Sequence, residues 1–293
     1  MTQQDHLESS APIPYFCATC GAQFAPSAAP PTRCPVCEDA RQYVPRPGQR
    51  WVSPEVLRRD HRNAFQYEGP GLLGIGTVPA FAIGQRAILV RAAGAGVLWD
   101  CISLVDDATR DLVRGLGGVR AIAISHPHYY SGMVEWSRAF GDVPVYLHED
   151  DREWVMRPDP AIRFWRGETL ALSDELTLVR CGGHFPGGTV LHWRAGAEGR
   201  GVVLSGDILQ VTEDERHVSF MYSYPNLIPL SPSRVERIAA ALEPYAFEQI
   251  YGAWWERVVR SGGKRALEES ARRYVDAVRG AEPAVASSAR PSR

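Results

Sequence analysis

The stretch IAISHPHYYSG, residues 122–132, places two histidines directly after an apolar run. The run from Val119 to Ile124 predicts a buried strand, and His126 and His128 follow it. Residues i and i+2 that leave a strand can point the same way, so both imidazoles can reach one ion. A lone histidine is more often a satisfied core or surface residue, but a pair at this spacing before Gly132 favours metal ligation. The stretch therefore predicts a metal site at the end of a strand.

Short β-rich runs alternate with helical runs on both sides of this stretch, from Gly71 onward. The spacing of apolar and turn residues predicts strands over residues 72–75, 81–83, 85–91, 96–102, 119–124, 143–147, 169–172, 176–181, 190–194, 201–204 and 247–251. It predicts helices over residues 107–116, 133–140, 149–156, 231–242 and 263–279. Two strand-rich halves, each followed by helices, indicate an α/β fold with two sheets packed face to face and helices outside.

Four segments together resemble one known family. Residues 125–132 (SHPHYYSG) resemble the S/T-H-x-H-x-D-H motif of the metallo-β-lactamase superfamily. Residues 183–188 (GHFPGG) are similar to its G-H-T-P-G-S turn, and residues 204–209 (LSGDIL) to its S-G-D segment. Residues 97–101 (VLWDC) resemble its early strand, which ends in an aspartate that supports the site. The resemblance implies the αββα sandwich of two mixed sheets with helices outside, and a main metal site formed by His126, His128, His184 and Asp207.

The sequence departs from the family at the second metal position. Tyr130 and Ser131 stand where the family has aspartate and histidine, and residues 251–255 (YGAWW) occupy the region where many members place a last histidine. The resemblance therefore implies one ion, and zinc, ferrous iron and manganese all suit three imidazoles and a carboxylate. We expect Tyr130 to stand beside this ion, with its ring in the space that a second ion occupies in dinuclear relatives.

Three functions are compatible with a single ion. The first is a metal-dependent hydrolase for a small molecule, in which Asp207 is the fourth ligand or anchors water and Tyr130 orients or protonates the reacting group. The second is a mononuclear non-haem iron oxygenase of the persulfide-dioxygenase type, using His126, His184 and Asp207. The third is a protein that kept the fold and binds a ligand without catalysis. We rank the hydrolase first, because the surviving ligands form one complete set.

Aromatic residues are frequent in the segments that should border the site. We expect an aromatic pocket for an apolar or planar substrate, although most such residues in any protein simply pack in the core. The substrate-binding residues that the sequence predicts are Tyr129, Tyr222, Tyr224 and Trp254, with Trp255 and Tyr130 beside them.

Two cysteine pairs precede the main site, at Cys17-x-x-Cys20 and Cys34-x-x-Cys37. Such pairs supply the four sulfurs that tetrahedral zinc prefers. The thirteen residues between the pairs are slightly fewer than the ~15–20 typical of a zinc ribbon. The pairs also resemble rubredoxin knuckles, but the short insert and Glu38 favour zinc over iron. We expect a structural zinc that stabilises this segment and not the main site, and we consider the segment a contact for a protein partner or a second copy.

Composition divides the chain and limits its partners. We expect a flexible N-terminus over residues 1–14, the cysteine segment over 15–45, a linker over 46–70 with a short helix after Ser53, the main domain over 71–280 and a disordered tail over 281–293. The formal net charge of −2 gives no reason to expect nucleic acid as a partner. No apolar run approaches the ~20 residues that span a bilayer, and the N-terminus lacks a secretory pattern. We therefore expect a cytoplasmic protein without a membrane partner.

Overall fold

The N-terminal elements lead into the main domain in the computed structural model, which describes residues 11–92 and 96–280. They are β1 (Phe16–Cys17), α1 (Pro35–Glu38), β2 (Trp51–Val52) and α2 (Pro54–Asp60), and β1 pairs with β2. The helix predicted after Ser53 is confirmed, because the Ser53 hydroxyl accepts a hydrogen bond from the Val56 amide and Pro54 occupies the first turn.

Seven strands form the first sheet, and they lie side by side in chain order. The strands are β3 (Arg62–Gly69), β4 (Leu72–Val78), β5 (Arg86–Val90), β6 (Gly96–Trp99), β7 (Val119–Ala123), β8 (Val145–His148) and β9 (Ile162–Trp165). Neighbours are antiparallel from β3 to β6 and parallel from β6 to β9. The parallel part brings the carboxyl ends of β6 and β7 to one edge. The helices α3 (Asp107–Gly115) and α4 (Met133–Ala139) make the β6–β7 and β7–β8 crossovers, and a 3₁₀ turn (Glu149–Trp154) lies between β8 and β9.

Six strands form the second sheet. They are β10 (Thr169–Ala171), β11 (Leu176–Arg180), β12 (Thr189–Trp193), β13 (Val202–Gly206), β18 (Gln249–Gly252) and β19 (Val258–Val259). The short turn α5 (Gly196–Gly199) connects β12 to β13, and α7 (Gly263–Val278) follows β19. Between β13 and β18 the chain forms two hairpins, β14 (Gln210–Val211) with β15 (Val218–Ser219) and β16 (Met221–Ser223) with β17 (Ile228–Pro229), and then α6 (Pro232–Leu242). The hairpins lie outside the sheet, in which β13 pairs with β18 in parallel.

Three apolar clusters hold these layers together. One contains residues of both sheets, among them Trp99 and Leu191, and lies between them. A second joins the first sheet to α3 and α4 through residues such as Trp136, and a third joins the second sheet to α6 and α7 through residues such as Leu267. The predicted αββα sandwich is therefore confirmed. No helix in the described part of the chain is long and apolar enough to cross a bilayer.

Several local predictions need correction. The strand predicted over residues 81–83 is wrong, because Ala82 has a φ of 54° and the Gly84 amide bonds back to the Phe81 carbonyl in a turn. The linker over residues 46–70 is too long, because its second half is the edge strand β3. Residues 11–14 are not loose throughout, since Ile13 pairs with Ser27. The predictions for residues 1–10 and 281–293 lie outside the described residues.

A buried ion pair joins β3 to β5. The side chains of Glu68 and Arg86 are both fully buried, and the Arg86 guanidinium donates a hydrogen bond to the Glu68 carboxylate. Arg86 also donates to the Gly252 carbonyl at 3.3 Å and lies 5.5 Å from the ring of Trp255. The pair therefore ties the first sheet to the end of β18 in the second. A buried charge without its partner is strongly unfavourable, so each residue requires the other.

We expect Arg86→Leu to lower the free energy of unfolding by about 3–5 kcal/mol, because the buried Glu68 carboxylate then keeps only Arg260, whose Nη2 lies 4.0 Å away. The double variant Glu68→Leu/Arg86→Leu should recover most of that loss, since no charge then remains. Urea unfolding measures both. The control is Arg91→Leu, at an exposed position just after β5, which should change stability by no more than about 0.5 kcal/mol. A single variant as stable as this control would contradict the assignment.

Candidate metal centre

His126 and His128 leave the carboxyl end of β7 in a short 3₁₀ turn, Pro127–Tyr129. Asp100, at the end of the neighbouring strand β6, accepts a hydrogen bond from the Ser125 amide at 2.7 Å. The Ser125 hydroxyl lies 2.8 Å from Nδ1 of His126. This bond fixes the imidazole and leaves its Nε2 as the nitrogen for an ion.

His184 lies in the loop between β11 and β12. The loop closes tightly, because a Cβ on Gly188 would come within 2.0 Å of the Gly182 carbonyl oxygen. The buried carboxylate of Asp151 accepts a hydrogen bond from the Gly187 amide at 2.9 Å. Glycine at position 188 and the Asp151 carboxylate thus hold the loop that presents the third imidazole.

Asp207 directly follows β13. Gly206 has a φ of 54°, and a Cβ there would lie 2.6 Å from the Ser125 hydroxyl, so only glycine lets the two sheets approach this closely. The hydroxyl of Tyr224 donates to the Asp207 carbonyl at 3.1 Å. The Asp207 side chain is therefore placed opposite the histidines by a close contact between the ends of β7 and β13.

These four residues converge as predicted. His126, His128, His184 and Asp207 are all buried, and each offers a ligand atom within 4.8 Å of the others. Oδ1 of Asp207 lies 3.1 Å from Nε2 of His126 and 3.6 Å from Nε2 of His184. Oδ1 and Nε2 of each of the three histidines are buried and lack a hydrogen-bond partner. Burying four such atoms without partners is unfavourable, and a cation between them satisfies all four at once. The donor set therefore fits a metal ion.

The electrostatics favour the ligand forms of these side chains. Burial lowers the pKa of His126 and His184 well below the ordinary value and that of His128 to about 3, and the nearby cation of Arg41 contributes in the same direction. Burial raises the pKa of Asp207 to about 7. At neutral pH the imidazoles are therefore neutral, and Asp207 carries the only proton that competes with an ion.

The residues that stand in place of the family's second set of ligands make other contacts. Tyr130 is only 4% exposed and packs in the cluster between the first sheet and its helices. The Ser131 hydroxyl donates to the Cys101 carbonyl at 3.4 Å, and the Ala253 carbonyl accepts from Tyr129. Across residues 11–92 and 96–280, two groups of side chains are arranged to hold an ion, the main site and the four paired cysteines. The main site accordingly has donor atoms for one ion.

The four paired cysteines form the second group. Their side chains are buried and unoxidised, and the Sγ atoms of Cys17 and Cys37, and of Cys20 and Cys34, are 3.6 Å apart. Sulfurs around a tetrahedral zinc with ~2.3 Å bonds are about 3.8 Å apart. The cluster therefore fits one ion, as the spacing of the cysteine pairs predicts.

The cysteine segment contacts the main site directly. Nη1 of Arg41 donates to the His184 carbonyl at 2.9 Å, and its guanidinium lies 3.9 Å from the ring centroid of Phe185. The sequence analysis assigned the zinc to this segment alone, and it did not anticipate that the segment touches a ligand of the main site. The sequence did not single out Arg41 as a site residue, because 143 positions separate it from His184 and no local motif links them.

Two of the predicted substrate-binding residues lie in other surroundings. Tyr129 is fully buried, its ring is 5.5 Å from that of His126, and its hydroxyl donates to the Ala253 carbonyl. Tyr129 therefore supports the ligand from behind and has no surface for a substrate. Trp254 is half-buried and donates its indole N–H to the Ile83 carbonyl at 3.3 Å, which anchors the turn before β5.

Aromatic residues of other segments border the ligands. Tyr224 is half-buried, with its ring centroid 6.4 Å from that of His184, and Tyr222 lies 5.8 Å from the Arg41 guanidinium. Phe185, which the sequence analysis did not select, lies 5.0 Å from the rings of both His128 and His184. The sequence could have indicated Phe185 through its position directly after the ligand His184.

The comparisons with known proteins agree with this geometry. Residues 82–256 match the family model of the metallo-beta-lactamase superfamily. The match covers more than half of the chain, and the protein belongs to this superfamily.

A relative covers nearly the whole chain. It is the Bacillus subtilis (strain 168) protein named "Uncharacterized protein YmaE", which is 50% identical over 266 residues, or 90% of this chain and 96% of that one. The similarity extends beyond the family model into the N-terminal part of the chain, because 90% coverage exceeds residues 82–256.

Solved structures share the fold at low identity. DIM-1 metallo-beta-lactamase is 12% identical, with a TM-score of 0.56 over 74% of this chain and 98% of that one. The metallo-beta-lactamase FIM-1 from Pseudomonas aeruginosa, in its mono-zinc form, is 15% identical, with a TM-score of 0.54 over 73% of this chain and 96% of that one. These likenesses concern the fold alone.

We expect the affinity of the main site for Co²⁺ to depend on pH through Asp207. Because the pKa of this carboxyl is about 7, a proton must leave when the ion binds below that pH. The affinity should fall about tenfold per pH unit between about pH 6 and 5. Asp207→Asn should bind more weakly but lose this slope, because the imidazoles are already neutral. Chelator competition measures both proteins, and an equal slope in both would contradict the assignment.

Proposed function

We propose that this protein is a metal-dependent hydrolase of small molecules, with one ion held by His126, His128, His184 and Asp207. The observation that carries the proposal is the set of four buried, unpartnered ligand atoms within 4.8 Å. A bound divalent cation would polarise a carbonyl oxygen and lower the pKa of a water molecule to about 7. Membership of the metallo-beta-lactamase superfamily supports hydrolysis as the reaction class.

Tyr130 is suited to donate a proton and not to remove one. Burial, together with the nearby carboxylates of Asp151 and Asp100, raises the pKa of Tyr130 well above its ordinary value. The phenol therefore keeps its proton at neutral pH and cannot serve as a base, which leaves orienting or protonating the reacting group as its proposed role. Burial also raises the pKa of the neighbouring Asp151 to about 7, and its Oδ2 has no hydrogen-bond partner.

The surroundings of the ligands favour a substrate with an apolar part. The half-buried Tyr224 lies beside His184, and the half-buried Trp154 lies 5.6 Å from Phe185, which is itself buried beside two of the imidazoles. Apolar and aromatic walls with few polar groups are usual for small-molecule sites. The formal net charge of −2 gives no reason to expect a nucleic acid substrate.

A second function is supported by one distance pattern. Oδ1 of Asp207 lies within 3.6 Å of both His126 Nε2 and His184 Nε2. Two histidines and one carboxylate are the ligand set of non-haem iron oxygenases. Elemental analysis of protein purified without added metal separates the two proposals. One zinc at the main site supports the hydrolase, whereas one iron there supports the oxygenase.

The direct test is a substrate panel. The full chain, with one ion at the main site, is assayed with thioesters, lactones, β-lactams and phosphodiesters. We expect hydrolysis of at least one carbonyl class and none of the phosphodiesters. If no carbonyl class is turned over while the ion is bound, the hydrolase proposal is wrong.

We expect His184→Ala to abolish this turnover and to release the main-site ion, because three donors remain around a buried cation. The four-cysteine site should keep its metal. The matched control is His217→Ala, since His217 pairs with Asp214 near the surface and contacts no ligand. Turnover and main-site metal content that survive His184→Ala would refute the ligand assignment.

We expect Tyr130→Phe to lower kcat about 100-fold or more, the usual contribution of a general acid. Metal content should not change, because the ring still fills its place. Tyr67→Phe is the control, at a residue that is 71% exposed. A kcat equal to that of the control would show that the Tyr130 hydroxyl has no role in proton transfer.

A further inference from the structure

Residues Asp39–Gln42, called the strap below, follow the last paired cysteine and lie on the main metal centre. The strap residue Arg41 is only 9% exposed. Its Nη1 donates to the His184 carbonyl at 2.9 Å, and its guanidinium stacks on Phe185 and lies 4.9 Å from the ring of Trp154. The strap therefore touches the backbone of a metal ligand and the aromatic residue next to it.

The strap is held in this place from two sides. Asp39 accepts hydrogen bonds from Nε of Arg41 at 2.5 Å and from Nη2 at 2.9 Å. The hairpin of β16 and β17 provides the other side. In it, the Ser223 hydroxyl donates to the Arg41 carbonyl at 3.1 Å, and the Asn226 amide donates to the strap carbonyls of Ala40 and Gln42 at 3.0 Å each.

The same hairpin reaches a second metal ligand. Tyr224 lies between the two hairpin residues that bind the strap, and its hydroxyl donates to the Asp207 carbonyl at 3.1 Å. The strap thus contacts His184 directly and is linked to Asp207 through the consecutive residues Ser223 and Tyr224. At its other end the strap continues from α1, which contains Cys37 of the four-cysteine site.

The guanidinium group of Arg41 is already engaged in hydrogen bonds within the protein. Its Nε, Nη1 and Nη2 are each engaged with protein oxygens, so it has little capacity left for an anionic substrate. The loop that it contacts needs such a contact, because Gly182 and Gly183 precede His184 at φ values of 73° and 109°. Glycines allow many backbone conformations, so an external hydrogen bond selects one of them.

We propose that Arg41 is a positioning residue of the main metal centre, and that the ion in the four-cysteine site keeps it in place. The four-cysteine ion fixes α1, α1 fixes the strap, and the strap fixes the His184 loop in the conformation that binds the main ion. Loss of the four-cysteine ion therefore weakens binding at the main site. The proposal concerns regulation of the same site as the proposed function, but metal affinity does not depend on turnover.

The test uses the full chain with Co²⁺ in both sites. Co²⁺ bound to thiolates has charge-transfer bands that Co²⁺ bound to imidazole and carboxylate lacks, so each site is followed separately. The variants are Arg41→Ala, Arg41→Lys and Cys34→Ser. The matched control is Arg33→Ala, because Arg33 belongs to the same segment but its side chain is 69% exposed and pairs with Glu38.

We expect Arg41→Ala to weaken Co²⁺ binding at the main site about 10–100-fold, the usual effect of losing a partner of a ligand. The thiolate bands should remain unchanged. Arg41→Lys should recover part of the affinity, since an ammonium group can still donate to the His184 carbonyl. Cys34→Ser should lose the thiolate bands and weaken the main site by a similar factor. Arg33→Ala should match the unaltered protein.

Main-site affinity that stays within about twofold of the unaltered protein in Arg41→Ala or in Cys34→Ser would overturn the proposal. If Arg41→Ala does not fold, Asn226→Ala decides, because Asn226 is exposed and still binds two strap carbonyls. Weaker main-site binding with intact thiolate bands then supports the proposal, and unchanged binding contradicts it. Absence of hydrolysis in every variant would contradict only the proposed function.

Discussion

The structure depends on one electrostatic constraint, which is that ligand atoms of three imidazoles and a carboxylate are buried within 4.8 Å of each other without hydrogen-bond partners. Such a group is unfavourable unless a cation binds it. Its geometry requires that strands of two different sheets end at the same place. That requirement explains why Asp100, which accepts a hydrogen bond from the Ser125 amide, adopts a φ of 62°. It also explains why Gly206 lies against Ser125, at a position where a Cβ would not fit. The close approach of the two sheets is therefore a consequence of the site as much as of the apolar core.

Charge at the site is balanced by residues from distant parts of the chain. A divalent cation with Asp207 leaves a net positive charge among neutral imidazoles, and a free arginine nearby would oppose metal binding. Arg41 avoids this because Asp39 pairs with it through two hydrogen bonds. The strap therefore brings its hydrogen bond to the His184 carbonyl without adding net charge. The N-terminal segment is thus part of the main site in both its packing and its electrostatics.

The ligands could be predicted from the sequence because each lies in a short local pattern at the end of a strand. The contact of Arg41 could not, since it joins residues 143 positions apart. The edge strand β3 was missed because only one of its eight residues is buried and its sequence, RNAFQYEG, lacks an alternating apolar pattern. Residues 81–83 were taken for a strand because they are apolar, although the left-handed φ of Ala82 places them in a turn. Tyr129 was predicted to bind substrate because it follows the ligand His128 directly. The 3₁₀ turn instead directs its side chain into the core.

The missing second ion is a property of the whole neighbourhood and not of one substitution. Tyr130 fills apolar space, so an aspartate there would leave a cavity and a buried charge. Ser131 is bonded to a backbone carbonyl, and the Ala253 carbonyl accepts hydrogen bonds from Tyr129 and from the amide of Arg86. The fully buried ion pair of Arg86 adjoins the same strand end at Gly252. A second ion would thus require new ligands and also new hydrogen-bond partners for Ser131, Tyr129 and Arg86. The three positions that depart from the family motif are therefore consistent with each other and with a site for one ion.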